Sequence, residues 1–229
     1  YPYTKSNHYP VTWLNYPCSE HDKAGIYLGD ISHYISNADG VTGQMGLMSN
    51  PVNYPEANKV AYFQLCSWAW NHDNYTSYQE KLWEDSFKYL QPEVYDSYLT
   101  IARNVSNCTN STRVSSFQES EYLKDKLDSV QAKALAGTSL SGDKEVEALQ
   151  TEFAHIQASI SDFRENCNNQ ALVTELTPWL NSLEQVTQAC QSALEGILAV
   201  QTGDSDTAES CYNTATAALS KWATYPTPQ

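Results

Sequence analysis

Between residues 146 and 197 the large apolar side chains recur in alternating steps of three and four. Val146, Leu149, Phe153, Ile156, Ile160 and Phe163 form one series, and Leu172, Leu176, Trp179, Leu183, Val186, Cys190, Ala193 and Ile197 another. That spacing lays a stripe along one side of an α-helix, and it cannot be reconciled with the two-residue repeat of a strand. Two long stripes joined by a short polar connection bury each other, so the pattern predicts an antiparallel helical bundle. Leu123, Leu127, Val130 and Ala134 supply a further strip, and Ala208, Tyr212, Ala215, Leu219 and Trp222 a last one. The glycine-bearing stretches 137–142 and 203–206 separate them as loops. Pro178 falls inside a stripe, so its helix is expected either to kink or to restart there.

The first fifty residues have a different character. They are rich in Gly, Tyr and Asn, with short apolar runs at 11–14 and 45–48 that read as strands. The runs end as Trp13-Leu14-Asn15-Tyr16-Pro17 and Gly46-Leu47-Met48-Ser49-Asn50-Pro51, each stopped by an asparagine and a proline. A (β/α)₈ barrel strand ends in this way when it delivers a polar side chain to the barrel mouth, where such folds keep their sites. The amides of Asn15 and Asn50 donate and accept at once, and the Trp13 indole offers a flat apolar face. The competing reading makes both asparagines ordinary turn residues. From Pro55, read as a first helical position ahead of Tyr62, Leu65 and Trp68, the chain turns helical. A second helix is expected over about 77–90 and a third after Pro92.

Several of these stretches resemble glycoside hydrolase family 84, the β-N-acetylglucosaminidases that include O-GlcNAc hydrolases and bacterial enzymes labelled hyaluronidases. The likeness lies in Trp13-Leu14-Asn15-Tyr16-Pro17, Leu28-Gly29, Ser49-Asn50-Pro51 and the helix from Glu56 through Trp68-Ala69-Trp70-Asn71. It continues through Trp83-Glu84-Asp85 and Leu90-Gln91-Pro92-Glu93, and returns at Thr174-Glu175-Leu176-Thr177-Pro178-Trp179-Leu180. The fold implied is mainly α: an antiparallel helical bundle preceded by the last two strand–helix units of a (β/α)₈ barrel. Residues 1–71 would close the catalytic barrel and 72–229 would form the bundle.

The family uses two adjacent aspartates, one orienting the substrate's own 2-acetamido group and the other serving as general acid and base. No Asp-Asp dipeptide occurs in this chain, so none of its residues is expected to be catalytic. What the resemblance assigns here is sugar binding. Trp13 would line the N-acetylglucosamine pocket, Asn15 would hydrogen-bond near the acetamido group or reacting centre, and Asn50 would approach from the last strand. Glu20 stands where the family pattern Asn-aromatic-Pro-x-x-Asp has an aspartate that holds O4 and O6. The extra methylene shifts the carboxylate by about 1.5 Å, which leaves Glu20 and Asp22 as competing candidates.

Composition narrows the setting. Thirteen basic against twenty-seven acidic residues give a net charge of −14, which argues against nucleic acid and against polyanionic glycans such as hyaluronan as partners. No apolar run approaches a membrane span, so no membrane insertion is expected. The opening Tyr1-Pro2-Tyr3 lacks a signal segment and reads as the interior of a longer protein, whose upstream barrel strands would be a necessary partner.

Six cysteines without a C-x-x-C pair, with sequons at Asn74, Asn104, Asn107 and Asn110, point to a secreted protein. Cys108–Cys167 is the favoured bridge, Cys190–Cys211 the second choice, and Cys167 with Cys190 should not pair. The five histidines show no metal-ligand spacing, so neither a metal nor another cofactor is expected, and His155 reads as a surface residue. Trp68, Trp70, Trp83 and Trp179 read as packing residues. The expected function is thus the C-terminal portion of a retaining, substrate-assisted β-N-acetylglucosaminidase acting on an N-acetylglucosamine-containing glycan or glycoprotein. The alternative is a non-catalytic helical adhesion or protein-interaction module with a vestigial barrel remnant. An open barrel edge, costly in an isolated module, separates the two.

Overall fold

The structure, a computed structural model of the 229-residue chain, describes residues 11–14, 28, 46–49, 54–70, 79–105 and 123–225. Chain contacts divide it into two compact units, 1–95 with 228–229 and 96–227.

The first unit contains the strands β1 (Val11–Leu14) and β2 (Gly46–Ser49), which pair in parallel. Helix α1 (Lys59–Trp70) follows. Pro55 opens a turn instead of the helix itself: the amide of Asn58 donates to the Tyr54 carbonyl, and its side-chain amide donates there too, before regular winding begins. α1 buries Val60, Ala61, Gln64 and Leu65. Trp70 falls on the opposite side of that stripe and is 92% exposed, so it is not the packing residue expected. Helix α2 (Gln79–Leu90) sets its Trp83 ring edge-on to Phe87, with centroids 5.5 Å apart and planes at 90°. A single 3₁₀ turn, Pro92–Val94, leads into α3 (Tyr95–Asn104), as expected after a proline that cannot continue a helix.

The second unit is helical: most of α3, then α4 (Leu123–Leu135), α5 (Lys144–Asn166), α6 (Gln170–Thr202) and α7 (Ser205–Trp222). Its helix starts and stops are written locally. Asp143 caps α5 by accepting from the amides of Glu145 and Val146, Asn169 caps α6 through Leu172, and Asp204 caps α7 through Thr207. Gly203 ends α6 at φ 76°, a left-handed conformation that lets Asp204 donate back to the Ala199 carbonyl. Pro178 neither ends nor restarts its helix, because α6 runs unbroken through it.

All six apolar residues expected on α5 are buried. On α6 Leu172, Leu176 and Leu183 are buried as expected, but Leu180, Thr187 and Leu194 line the rest of the inside, while Trp179, Val186, Cys190, Ala193 and Ile197 are half-buried. The physical reason is drift. A stripe repeating every 3.5 residues slides about 20° per heptad around a straight helix of 3.6 residues per turn, so the inner face is handed to the neighbouring column.

The last stripe is corrected more sharply. α7 packs on α6 through Cys211 and Ala218, whereas Tyr212 is 70% and Leu219 48% exposed. A Cβ placed on Gly196 would lie 3.3 Å from the Cβ of Cys211. Helices this close admit only small residues between them, and Tyr212 and Leu219 are displaced to the flank. Cys190 and Cys211 are both free thiols, so the second-choice bridge does not form. Gly196, not Cys190, stands opposite Cys211, and six residues of helix move Cys190 about 9 Å along the axis, beyond bridging range. Cys108, the other half of the favoured bridge, lies outside the described residues.

Candidate functional site

β1 and β2 pair in register, Val11 opposite Gly46, Trp13 opposite Met48 and Leu14 opposite Ser49. Neighbouring parallel strands lie about 4.8 Å apart, and this register ends both at one level. The chain therefore leaves the sheet at two adjacent points, with Asn15 and Asn50 as the next residues. Of the residues expected to bind sugar, Trp13 belongs to β1 through its backbone. Its side chain, together with Asn15, Glu20, Asn50 and the competing Asp22, lies outside the described residues.

One residue of the connection between the strands is fixed from elsewhere. The Leu28 carbonyl accepts a hydrogen bond from the Trp83 indole N–H at 2.8 Å, and both residues are buried. An indole N–H can only donate, and a buried carbonyl left without a donor costs roughly 1–3 kcal/mol. The pair is thus held by mutual need. Sequence reading gave Trp83 a packing role but missed this bond, which spans 55 residues. The one signal was that Leu28-Gly29 and Trp83-Glu84-Asp85 both lie in the stretches that carry the family resemblance.

The polar groups of the helical unit serve structure. Hydrogen bonds from Ser97 and Asn166 hold the Asp162 carboxyl below its ordinary range, tying α3 to α5. Lys133, bonded to Asp143 and Glu145 at 2.7 and 2.8 Å, depresses both carboxyls and is itself raised, chiefly by Asp143. Arg164 of α5 donates to Asn181 and Glu184 of α6. Burial pushes the Cys190 thiol up to about 11, which removes it as a nucleophile at neutral pH. His155 is exposed on α5, and among the described residues no group of three His, Cys, Asp or Glu side chains is gathered to hold a metal. A depression of about 260 Å³ between α5 and α6, lined by Gln150, Gln157, Gln191 and Glu195, brings no acid–base pair together.

Residues 3–103 match a family model described as β-N-acetylglucosaminidase, and residues 122–225 match one described as hyaluronidase post-catalytic domain-like. The chain belongs to glycoside hydrolase family 84. Among solved structures, that of CpGH84D is similar with a TM-score of 0.76 at 21% identity, over 95% of this chain and 35% of that one. CpGH84B is similar with a TM-score of 0.72 at 20% identity, over 94% of this chain and 36% of that one. This family 84 chain therefore spans about a third of the length of those relatives.

Proposed function

We propose that this chain is the C-terminal portion of a retaining β-N-acetylglucosaminidase that works through the substrate's own 2-acetamido group. One observation carries the reading: two parallel strands end in register immediately before Asn15 and Asn50, within the stretch that matches the β-N-acetylglucosaminidase model. Strand ends of a (β/α)₈ barrel are where such enzymes keep their chemistry. In that mechanism the acetamido oxygen attacks the anomeric carbon as an acid protonates the departing oxygen, and the resulting oxazoline is opened by water that the same residue deprotonates.

Both steps need a pair of carboxylates. With no Asp-Asp dipeptide here, that pair is supplied by upstream barrel strands. This chain contributes Trp13 to the pocket wall, Asn15 and Asn50 to the acetamido side, and Glu20 or Asp22 to the distal hydroxyls. The substrate is an N-acetylglucosamine-bearing glycan or glycoprotein, and the net charge of −14 disfavours polyanionic chains. Six cysteines and four sequons support secretion.

The second reading, a helical interaction module with a vestigial barrel remnant, is disfavoured by the sheet. Among the described residues the only sheet is a parallel pair, and two strands are too few for independent stability. The test is direct. The isolated 229-residue chain should not hydrolyse an aryl N-acetyl-β-glucosaminide, while the complete enzyme that contains it should. Turnover by the isolated chain, lost on mutating Asn15 or Glu20, would mean that a complete site exists here.

A further inference from the structure

We propose that the outward face of α1, which carries Tyr62, Phe63, Cys66 and Trp70, is an interface covered by the upstream part of the same enzyme. From the function proposed above the inference takes only that this chain is the C-terminal portion of a longer protein. Its own ground is the helix. Val60, Ala61, Gln64 and Leu65 fill the buried side of α1, and steps of three and four place Tyr62, Phe63, Cys66 and Trp70 on the other. Trp70 is 92% exposed, Cys66 is an exposed free thiol, and Tyr62 and Phe63 are half-buried. The Phe63 ring continues the face onto α2, lying 5.0 Å from the ring of Tyr89, which is itself 73% exposed.

α2 shows what a water-facing side looks like in this unit. It has the same length of 12 residues, and its exposed side carries Lys81, Asp85 and Lys88. α1 has a single charged residue, Lys59, and Glu56 already engages it at 2.6 Å. A helix that is apolar around its circumference is one buried on both sides, and tryptophan is on average a well-buried residue. The second cover comes from the same polypeptide. Residues 3–103 match the β-N-acetylglucosaminidase model, and the chain covers 35% and 36% of the two solved relatives, so the larger part of each has no counterpart in this chain. Among the described residues the sheet of this unit is a parallel pair, which calls for further strands and for helices over its faces. One occupant meets both needs.

Cys66 reports on the contact without any substitution. A thiol beneath an interface reacts only when the contact opens, so in the complete native enzyme its labelling by N-ethylmaleimide, located by peptide mapping, should be at least about tenfold slower than in urea. p-Benzoylphenylalanine in place of Trp70 should cross-link to peptides upstream of this chain, and Trp70→Asp should lower the melting temperature and speed the labelling of Cys66. Native labelling as fast as in urea would overturn the inference, as would cross-links confined to the chain's own 229 residues. Protection lost on dilution as the enzyme dissociates would assign the face to a second copy, and protection that appears only with added chito-oligosaccharide would assign it to glycan; either overturns the proposal. A wild type without turnover on an aryl N-acetyl-β-glucosaminide would sink the glycosidase reading and leave the labelling to decide the contact. An active wild type with an open Cys66 would overturn the contact alone.

Discussion

A carboxylate that grips two sugar hydroxyls makes charge-assisted hydrogen bonds, and deleting it leaves those hydroxyls unmatched in a partly dry pocket. On the role proposed for Glu20, Glu20→Ala in the complete enzyme should cost about 2–4 kcal/mol in transition-state binding, read from kcat/KM, and Glu20→Asp less. An unchanged Glu20→Ala with a large loss for Asp22→Ala would transfer the role to Asp22. A core residue gives a contrasting case. Phe163 is fully buried, with its ring 5.2 Å from that of Tyr98, so Phe163→Ala should destabilise by about 3–5 kcal/mol in urea unfolding. The cost combines the lost transfer of the ring from water with the cavity that it leaves.

At the scale of elements, α6 carries the largest local conflict. Pro178 lies eight residues beyond Gln170, the first residue of the helix, where it lacks the N–H that would reach the Thr174 carbonyl. Pro178→Ala should raise the melting temperature, the gain being bounded by the roughly 3 kcal/mol that separates proline from alanine in a helix interior. No gain would show that neighbouring contacts already satisfy that carbonyl. The α6–α7 seam is sensitive in the opposite sense. Since a Cβ at Gly196 already meets Cys211 at 3.3 Å, Gly196→Leu should force the two helices apart and destabilise the bundle by about 1–3 kcal/mol. Amide exchange in α7, measured against α5, would report whether the damage stays at that seam.

For the molecule as a whole, the acidic balance makes stability depend on pH in a definable direction. Asp162, Asp143, Glu145 and Asp204 all have carboxyls held below their ordinary range, respectively by Ser97, Lys133, Lys133 and Thr207. In the unfolded chain these groups take up protons at ordinary pKa values, so on acidification the unfolded state binds protons first. Their contribution is complete above about pH 5 and falls away as pH drops through the folded-state values. Urea midpoints should therefore decline between about pH 5 and 3, and Asp162→Asn should flatten that decline. Lys124 and Lys133, raised by Asp128 and Asp143, contribute stability that is lost as pH climbs past the ordinary lysine value. High salt should mute the part carried by the Lys124 and Lys133 pairs, whose charges are reached by solvent, and leave that of Asp162 and Asp204, which rests on neutral hydroxyl and amide donors, largely in place.

The helices, their polar starts at Asp143 and Asp204 and the turn at Gly203 are legible in the sequence, because each depends on residues within a turn or two of one another. The strand ends before Asn15 and Asn50 are legible for the same reason: an apolar run stopped by a polar residue and a proline is a local signal. Only the tertiary structure decided which column of α6 faces inward, that α7 turns Cys211 and not Tyr212 toward its neighbour, and that Trp70 stands in solvent. Those outcomes depend on how closely two helices approach and on the slow drift of a stripe around a straight helix, neither of which a local pattern encodes. The Trp83–Leu28 bond belongs to the same class. Its partners are far apart in the chain, and only folding could reveal that a carbonyl between two strands is met by an indole from α2.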